Sequence, residues 1–382
     1  MFGETSEKKV EYLELIYDLI FVYLIGRNNS LLHAVKDGFV PAGNFLTYIL
    51  CTLVIIQIWS LTTLFINRYG TNGVQEHIAL FVNMYLLYFM ADGTRLQWEQ
   101  HFYLRYNIAW GLILANLALQ HWLKYRAACQ NMPWVKEQLL HQTRMITIMA
   151  AIVFITIPLY FVTGLPLSAL AMVYGIVASV AARDVNNLVS VDFRHLTERV
   201  MLYVVFTFGE MIIGIAGYFG GDGNITRNTI YFSLMAFLIV VGLFLSYEFV
   251  YDHIVDRDME TNGTVYMFIH IFLITAQNFI TTSLEFMQEP SVAALPKNVF
   301  LVVSFLMYYA FLSQTAKFAK FKPGEGQRIY RDLAIGCAIF VALMALTYRN
   351  GAVSIAISVI FIYGVFLHLW LNWRKAAKRD EE

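Results

Sequence analysis

Four acids stand where a hydrocarbon environment would normally exclude them. Glu14 and Asp18 lie in Glu11-Tyr-Leu-Glu14-Leu-Ile-Tyr-Asp18-Leu-Ile-Phe-Val22, and Glu198 and Glu210 open and centre the stretch Leu196 to Gly214. A carboxylate inside a bilayer is expensive, so it is kept where it is paired, faces a cavity or does a job. The work open to such groups is the binding of a proton or a cation. Glu14 and Asp18 are four residues apart, about 40° around a helix, and share one face. Two neighbouring carboxylates in low dielectric hold a proton or a cation between them. The structural alternative is an ion pair with a basic residue of another helix, for which Arg199, Arg144 and Arg331 are placed.

Glu210 is the sharper case. It sits near the middle of its hydrophobic stretch, between Gly209 and Gly214, which let a neighbouring helix or solvent approach. An intramembrane acid without a local basic partner reads as a working group, and a hydrogen bond to a neighbouring helix is the alternative. Glu198 lies 12 residues earlier, about 18 Å along the axis, so the two do not form one compact site. Arg27, in Gly26-Arg27-Asn28-Asn29-Ser30, reads either as part of a broken, water-lined stretch that binds substrate or as the snorkelling end of the first span. His270 and Glu248 are secondary candidates. His270 with Gln277 could line a polar path, whereas Glu248, with Asp252 and His253, closes a span at the interface. Asp192 and His195 are placed as helix-capping residues.

Other chemistry finds no support. The three cysteines, Cys51, Cys129 and Cys337, have no metal spacing and an odd count. No Gly-rich phosphate loop, nucleophile elbow or His-x-x-x-His occurs. The expectation is no enzyme, no cofactor and no metal site.

The elements that must position these acids are membrane helices. Hydrophobic residues make up 58% of the 382-residue chain and charged ones only 14%, far below the quarter or so of a soluble domain. Net charge is zero, which leaves nucleic acid without an electrostatic handle. No signal-peptide cleavage pattern follows Lys8 and Lys9. Twelve stretches are predicted to span, near residues 12–33, 43–66, 76–92, 102–122, 144–163, 165–182, 197–219, 229–251, 264–286, 297–318, 329–348 and 352–373. With the N-terminus inside, all but seven of the 27 Lys and Arg fall on the inner side. The seven are Arg27, Lys36, Arg95, Arg105, Arg227, Lys297 and Arg349. The positive-inside rule therefore puts both termini in the cytoplasm of a multi-pass cell-membrane protein, with lipid as its surroundings.

Several features recur at an offset of 184 to 189 residues. Glu14 pairs with Glu198, Phe65–Tyr69 with Phe249–His253, Arg144 with Arg331, and Val173-Tyr-Gly175 with Ile362-Tyr-Gly364. The expected architecture is thus all-α, with two parallel six-helix repeats over residues 1–183 and 184–382 in one transmembrane domain.

The two acidic stretches resemble the bacterial low temperature requirement A family. Its first-helix pattern is seen here as Glu14-Leu-Ile-Tyr-Asp18-Leu-Ile-Phe-Val22, and its central pattern as Glu198-Arg199 with Gly209-Glu210. Ile16 stands where an aromatic is usual, and Met211 where a small residue is common. The resemblance implies a cell-membrane protein linked to growth in the cold, and supplies no chemistry. The duplication and the intramembrane acids favour a transporter of an ion or small solute, proton-coupled through Glu210, Glu14 and Asp18. The alternatives are an ion channel lined by the first and seventh helices, and a non-transporting membrane protein whose acids lock helices together.

Overall fold

The computed structural model describes residues 8–94, 100–128, 132–216, 226–319 and 325–380, with side chains omitted for 325–329 and 375–380. Cys129, Arg95, Lys320 and Lys322 lie outside the described residues. Among the described residues every regular element is a helix. In chain order they are α1 (Tyr12–Asn29), α2 (Ala42–Tyr69), α3 (Val74–Gly93), α4 (Gln100–Ala127), α5 (Pro133–Thr163), α6 (Ala169–Ala181) and α7 (Arg183–Asn186). There follow α8 (Phe193–Ala216), α9 (Arg227–His253), α10 (Thr264–Gln288), α11 (Ala294–Gln314), α12 (Glu325–Thr347) and α13 (Gly351–Asp380).

A helix lies at each of the twelve expected positions, and eight of them are long and apolar enough to cross a membrane: α2, α5 and α8–α13. The other four fall short for physical reasons. α1 carries Glu14, Asp18 and Arg27 within 18 residues. α3 holds Glu76, Asn83 and Asp92, and α4 has Asn107, Asn116, Gln120 and His121 along its length. α6 has 13 residues, about 20 Å of helix against a hydrocarbon core of about 30 Å.

The chain forms two compact units. The first comprises residues up to Ala34, Pro41–Tyr203 and Asp258–Met267, and the second Val35–Val40, Val204–Arg257 and the chain from Phe268 onward. The chain therefore passes from one unit to the other inside α8 and inside α10. The six-plus-six repeat remains a reading of the sequence.

In the first unit α4 packs against α3 and α5, and α1 against α2 and α3. Its core is aromatic: Trp59, Trp110, Tyr17, Tyr48 and Tyr103 are fully buried. α5 ends at Gly164, whose φ of 69° suits a residue without Cβ and closes the helix through its N–H to Tyr160 O at 2.9 Å. That left-handed turn is what allows α6 to follow so closely. Lys8 closes the last turn of α2 by donating to the carbonyls of Ile66, Asn67 and Gly70. Burial pushes the Lys8 ammonium below its ordinary pKa, and Glu14 and Glu76 pull it back.

In the second unit α9 lies along α13, which also packs against α12. Phe340 stacks on Phe361 at 4.2 Å. α10 is the most buried of the eight spanning helices, yet it carries Gln277, Asn278, Thr281, Thr282 and Ser283 at 3% exposure or less. Several of its hydroxyls are absorbed by the helix itself, Thr275 donating to Ile271 O at 2.8 Å and Thr281 to Gln277 O at 3.0 Å. Hydroxyls satisfied one turn back are cheap to bury in a helix.

Candidate functional site

In the first unit the motif acids gather around one arginine. Glu14, Tyr17, Asp18 and Phe21 form the buried face of α1, while Tyr12, Ile16, Leu19 and Tyr23 face outward. Asp18 is fully buried and receives three N–H groups: Arg199 Nη2 on Oδ1 at 3.0 Å, Arg199 Nε on Oδ2 at 3.3 Å, and Trp59 Nε1 on Oδ1 at 2.8 Å. Glu14 Oε2 lies 3.4 Å from Arg199 Nη1 and 3.3 Å from His195 Nε2. Arg199 and His195 are both fully buried. Of the three arginines the sequence offered as partners, Arg199 takes the role. Arg144 is exposed, and Arg331 is exposed and paired with Asp332 at 2.9 Å.

A second layer of aromatic and amide groups holds this cluster. Trp59 stacks on Tyr203, four residues after Arg199, with ring centroids 4.4 Å apart and planes 17° from parallel. Tyr17 donates to Thr62 Oγ1 at 3.3 Å, because the Thr62 proton is already committed to Ile58 O at 2.9 Å. The state of His195 follows from hydrogen-bond bookkeeping. Asn67 Oδ1 accepts the Asp192 N–H at 3.0 Å and Asn67 Nδ2 donates to Asp192 O at 2.9 Å, which fixes the orientation of the amide. The same Nδ2 stands 3.0 Å from His195 Nδ1, so Nδ1 accepts and the ring carries its proton on Nε2, toward Glu14. Asp192 Oδ1 also accepts the His195 N–H at 3.0 Å, so the capping role expected of Asp192 holds.

The cluster is close to charge balance. Glu14 and Asp18 face the Arg199 guanidinium, and Lys8 acts on Glu14 from the end of the helix. Ties from α1 to α2 through Trp59 and to α8 through Arg199 make it an interhelical lock. A buried charge with its counter-charge and hydrogen bonds in place is tolerated, whereas one stripped of its partner is not.

The second unit contains a different acidic pair. Glu210 is half-buried on α8. Gly214, one turn later on the same face, lies against α10: a Cβ at that position would stand 3.1 Å from Glu285 Oε1 and 3.1 Å from Thr281 Cγ2. Glu285 thus brings a second carboxylate against α8 one turn beyond Glu210. Gln277, one turn before Thr281 on α10, is fully buried, and neither its amide nitrogen nor its amide oxygen has a hydrogen-bond partner.

The remaining candidates separate from these two clusters. Glu198 is half-buried and precedes Arg199, turned about 100° from it around α8. Of the two readings of Gly26-Arg27, a broken stretch or a snorkelling span end, the backbone fits the second: α1 continues through Asn29, and a short 3-10 turn, Ser30–Leu32, follows. Arg27 is exposed, while Asn28 and Asn29 are buried, as for a side chain that snorkels from the end of its helix. His270 is fully buried, with Nε2 3.3 Å from the Tyr247 hydroxyl. Glu248 is exposed.

Trp59, Tyr203, Asn67 and Glu285 were not singled out as site residues from the sequence. Trp59 lies 41 residues from Asp18 and Glu285 lies 75 residues from Glu210, so no local spacing rule reaches them. The sequence places His195 in a helix cap, and its second role toward Glu14 depends on packing.

No curated protein and no solved structure matches the chain. The family model described as bacterial low temperature requirement A protein matches residues 9–370, a stretch that takes in both acidic motifs, Arg199 and the Glu210–Glu285 pair. The chain is a membrane protein with helices suited to span the bilayer, and it belongs to the bacterial low temperature requirement A family.

Proposed function

We propose that this chain carries a cation or a proton-coupled small solute across the cell membrane, with Glu210 on α8 as the working acid and Glu285 on α10 as its companion. The single observation that carries the reading is the contact at Gly214, where Glu285 Oε1 lies 3.1 Å from where a Cβ would stand, one helical turn from Glu210. Two acids so arranged in a poorly solvated place call for a proton or a cation between them. The Glu14–Asp18–Arg199 cluster then serves a different end: within the first unit it fixes α1 against α2 and the start of α8. In this reading both termini lie in the cytoplasm, as the distribution of Lys and Arg favours.

A second reading has its own support. The complete pairing of Asp18, with three N–H donors, is what an interhelical lock requires, and a protein whose acids are all locks need transport nothing. One variant separates the two. Glu210→Gln, reconstituted into liposomes, is expected to fold in normal yield and to lose pH-gradient-driven or cation flux. A lowered yield of folded protein together with an absence of flux in the wild type would favour the lock reading for Glu210 as well.

A further inference from the structure

We infer that His195 Nδ1 is a proton-binding site that works as an acid-released latch between the end of α2 and the start of α8. The latch lies wholly in the first unit and does not depend on the roles given above to Glu210 and Glu285. Its parts are Asn67, in the last turn of α2, and Asp192 and His195, where the chain enters α8. Asn67 gives the Asp192 backbone both ends of its amide: Oδ1 takes the N–H at 3.0 Å, and Nδ2 donates to the carbonyl at 2.9 Å. The same Nδ2 donates to His195 Nδ1 at 3.0 Å.

This bridge is made for a neutral ring. A proton on Nδ1 sets two donors against one another, since an imidazolium has no acceptor. Turning the Asn67 amide over gives no escape. Its oxygen would then face the Asp192 carbonyl and its nitrogen the Asp192 N–H. Either way a proton at Nδ1 undoes the contact that holds the entry of the chain into α8, and polar groups shut away from water are costly to leave unpaired. The closed latch and the proton therefore exclude one another.

The other edge of the ring suits the opposite state. His195 Nε2 and Glu14 Oε2 are 3.3 Å apart, both are buried, and neither has an aligned hydrogen bond. A carboxylate is thus in place to take the charge of an imidazolium. The remaining charges nearby are spoken for. Asp18, one turn along α1, is held by Arg199, Lys8 acts on Glu14, and Asp192 Oδ1 accepts the His195 backbone N–H. α2 presents the neutral Asn67, while Arg68 turns to the carbonyls of Asn186 and Asn262. The turn before α10 meets this end of α8 through Gly263, which lies against Leu196 and Val191 and carries no charge. Glu14 therefore favours a second proton on the ring and Asn67 opposes it. The released form binds one proton more than the latched form, so acid favours release and the latch tightens as pH rises.

The test is hydrogen–deuterium exchange of the purified full-length protein in detergent, read by mass spectrometry from about pH 8 to about pH 5. Exchange in residues 188–197 is divided by that in α4 at each pH, which removes the intrinsic pH dependence of the chemistry. The ratio is expected to rise as pH falls, by up to about tenfold per pH unit, the slope for a single proton. His195→Asn keeps an oxygen where Nδ1 stands and takes up no proton, so it should leave the segment protected and the ratio flat. Glu14→Gln keeps His195 and withdraws its counter-charge, so the rise should begin at lower pH. This second variant answers the question if the first fails to fold. A flat ratio in the wild type, a wild-type rise in His195→Asn, or a rise in Glu14→Gln that begins at the same or higher pH would overturn the site.

Discussion

Arg199 holds Asp18 through two nitrogens, Nε at 3.3 Å and Nη2 at 3.0 Å, with both side chains shut away from solvent. Their residues lie 181 positions apart in the chain, so the pair ties the first helix to α8. Such a pair adds little stability over a well-packed apolar substitute, but breaking it leaves an uncompensated charge. Arg199→Met is therefore expected to cost about 3–5 kcal/mol. Arg199→Lys should also be poorly tolerated, because an ammonium cannot reproduce the two-pronged grip. Combining Arg199→Met with Asp18→Asn and Glu14→Gln should recover much of the loss. Thermal unfolding of the single, paired and triple variants measures the coupling, and strictly additive losses would contradict it.

Trp59 contributes in two separable ways. Its indole N–H donates to Asp18 at 2.8 Å, and its ring stacks on Tyr203. Trp59→Phe keeps a stacking ring and removes the donor, so it should cost about 1.5–3 kcal/mol, the range for a hydrogen bond to a charged group. Trp59→Leu removes both contributions and should cost more. Equal losses in the two variants would show that the stacking on Tyr203 carries nothing, and an unchanged Trp59→Phe would show the same of the hydrogen bond.

Asn67 satisfies the Asp192 N–H, the Asp192 carbonyl and His195 Nδ1 together. Asn67→Leu is similar in size and leaves all three without their partner, for an expected loss of about 3 kcal/mol in unfolding free energy. The same variant frees the His195 ring from its imposed tautomer. Nitrogen NMR of labelled histidine should then show Nδ1 gaining proton character relative to the wild type.

Gly214 lies close against the Glu285 carboxylate, whose Oε1 is 3.1 Å from where a Cβ would stand. Gly214→Ala asks Thr281 and Glu285 to give by a few tenths of an ångström, and Gly214→Val asks for more than a packed helix pair can yield. Flux in proteoliposomes is expected to fall in that order, with folded yield less affected than flux for the alanine variant. An alanine variant with wild-type flux would separate Gly214 from the working pair.

Arg27 and Glu248 serve as controls. Both are exposed, and substitutions at exposed positions away from special contacts have small effects. Arg27→Ala and Glu248→Gln should leave both the unfolding midpoint and the flux unchanged. A loss of flux in Arg27→Ala with normal folding would return that residue to the site.

The membrane class and the places of the twelve helices were legible because hydrocarbon imposes a length and a composition on anything that crosses it. The common face of Glu14 and Asp18 was legible because a helix repeats every 3.6 residues. What followed from those placements was not. Arg199, Arg144 and Arg331 were equal candidates in the sequence, and only packing put the first beside Asp18. Gly26-Arg27-Asn28-Asn29 admits a break or a span end in the sequence, and only the structure shows the backbone helical through Asn29, with both asparagines inward and the arginine out.

The chain by itself determined that it is a bundle of apolar helices with acids at positions where acids are costly. Local rules of length, period and charge suffice for that. The tertiary structure alone decided which partners the acids meet. Asp18 met an arginine and an indole, whereas Glu285 came to lie against Gly214, one turn from Glu210. Partner choice depends on the register between helices far apart in sequence, and that register is settled by how whole side-chain surfaces pack.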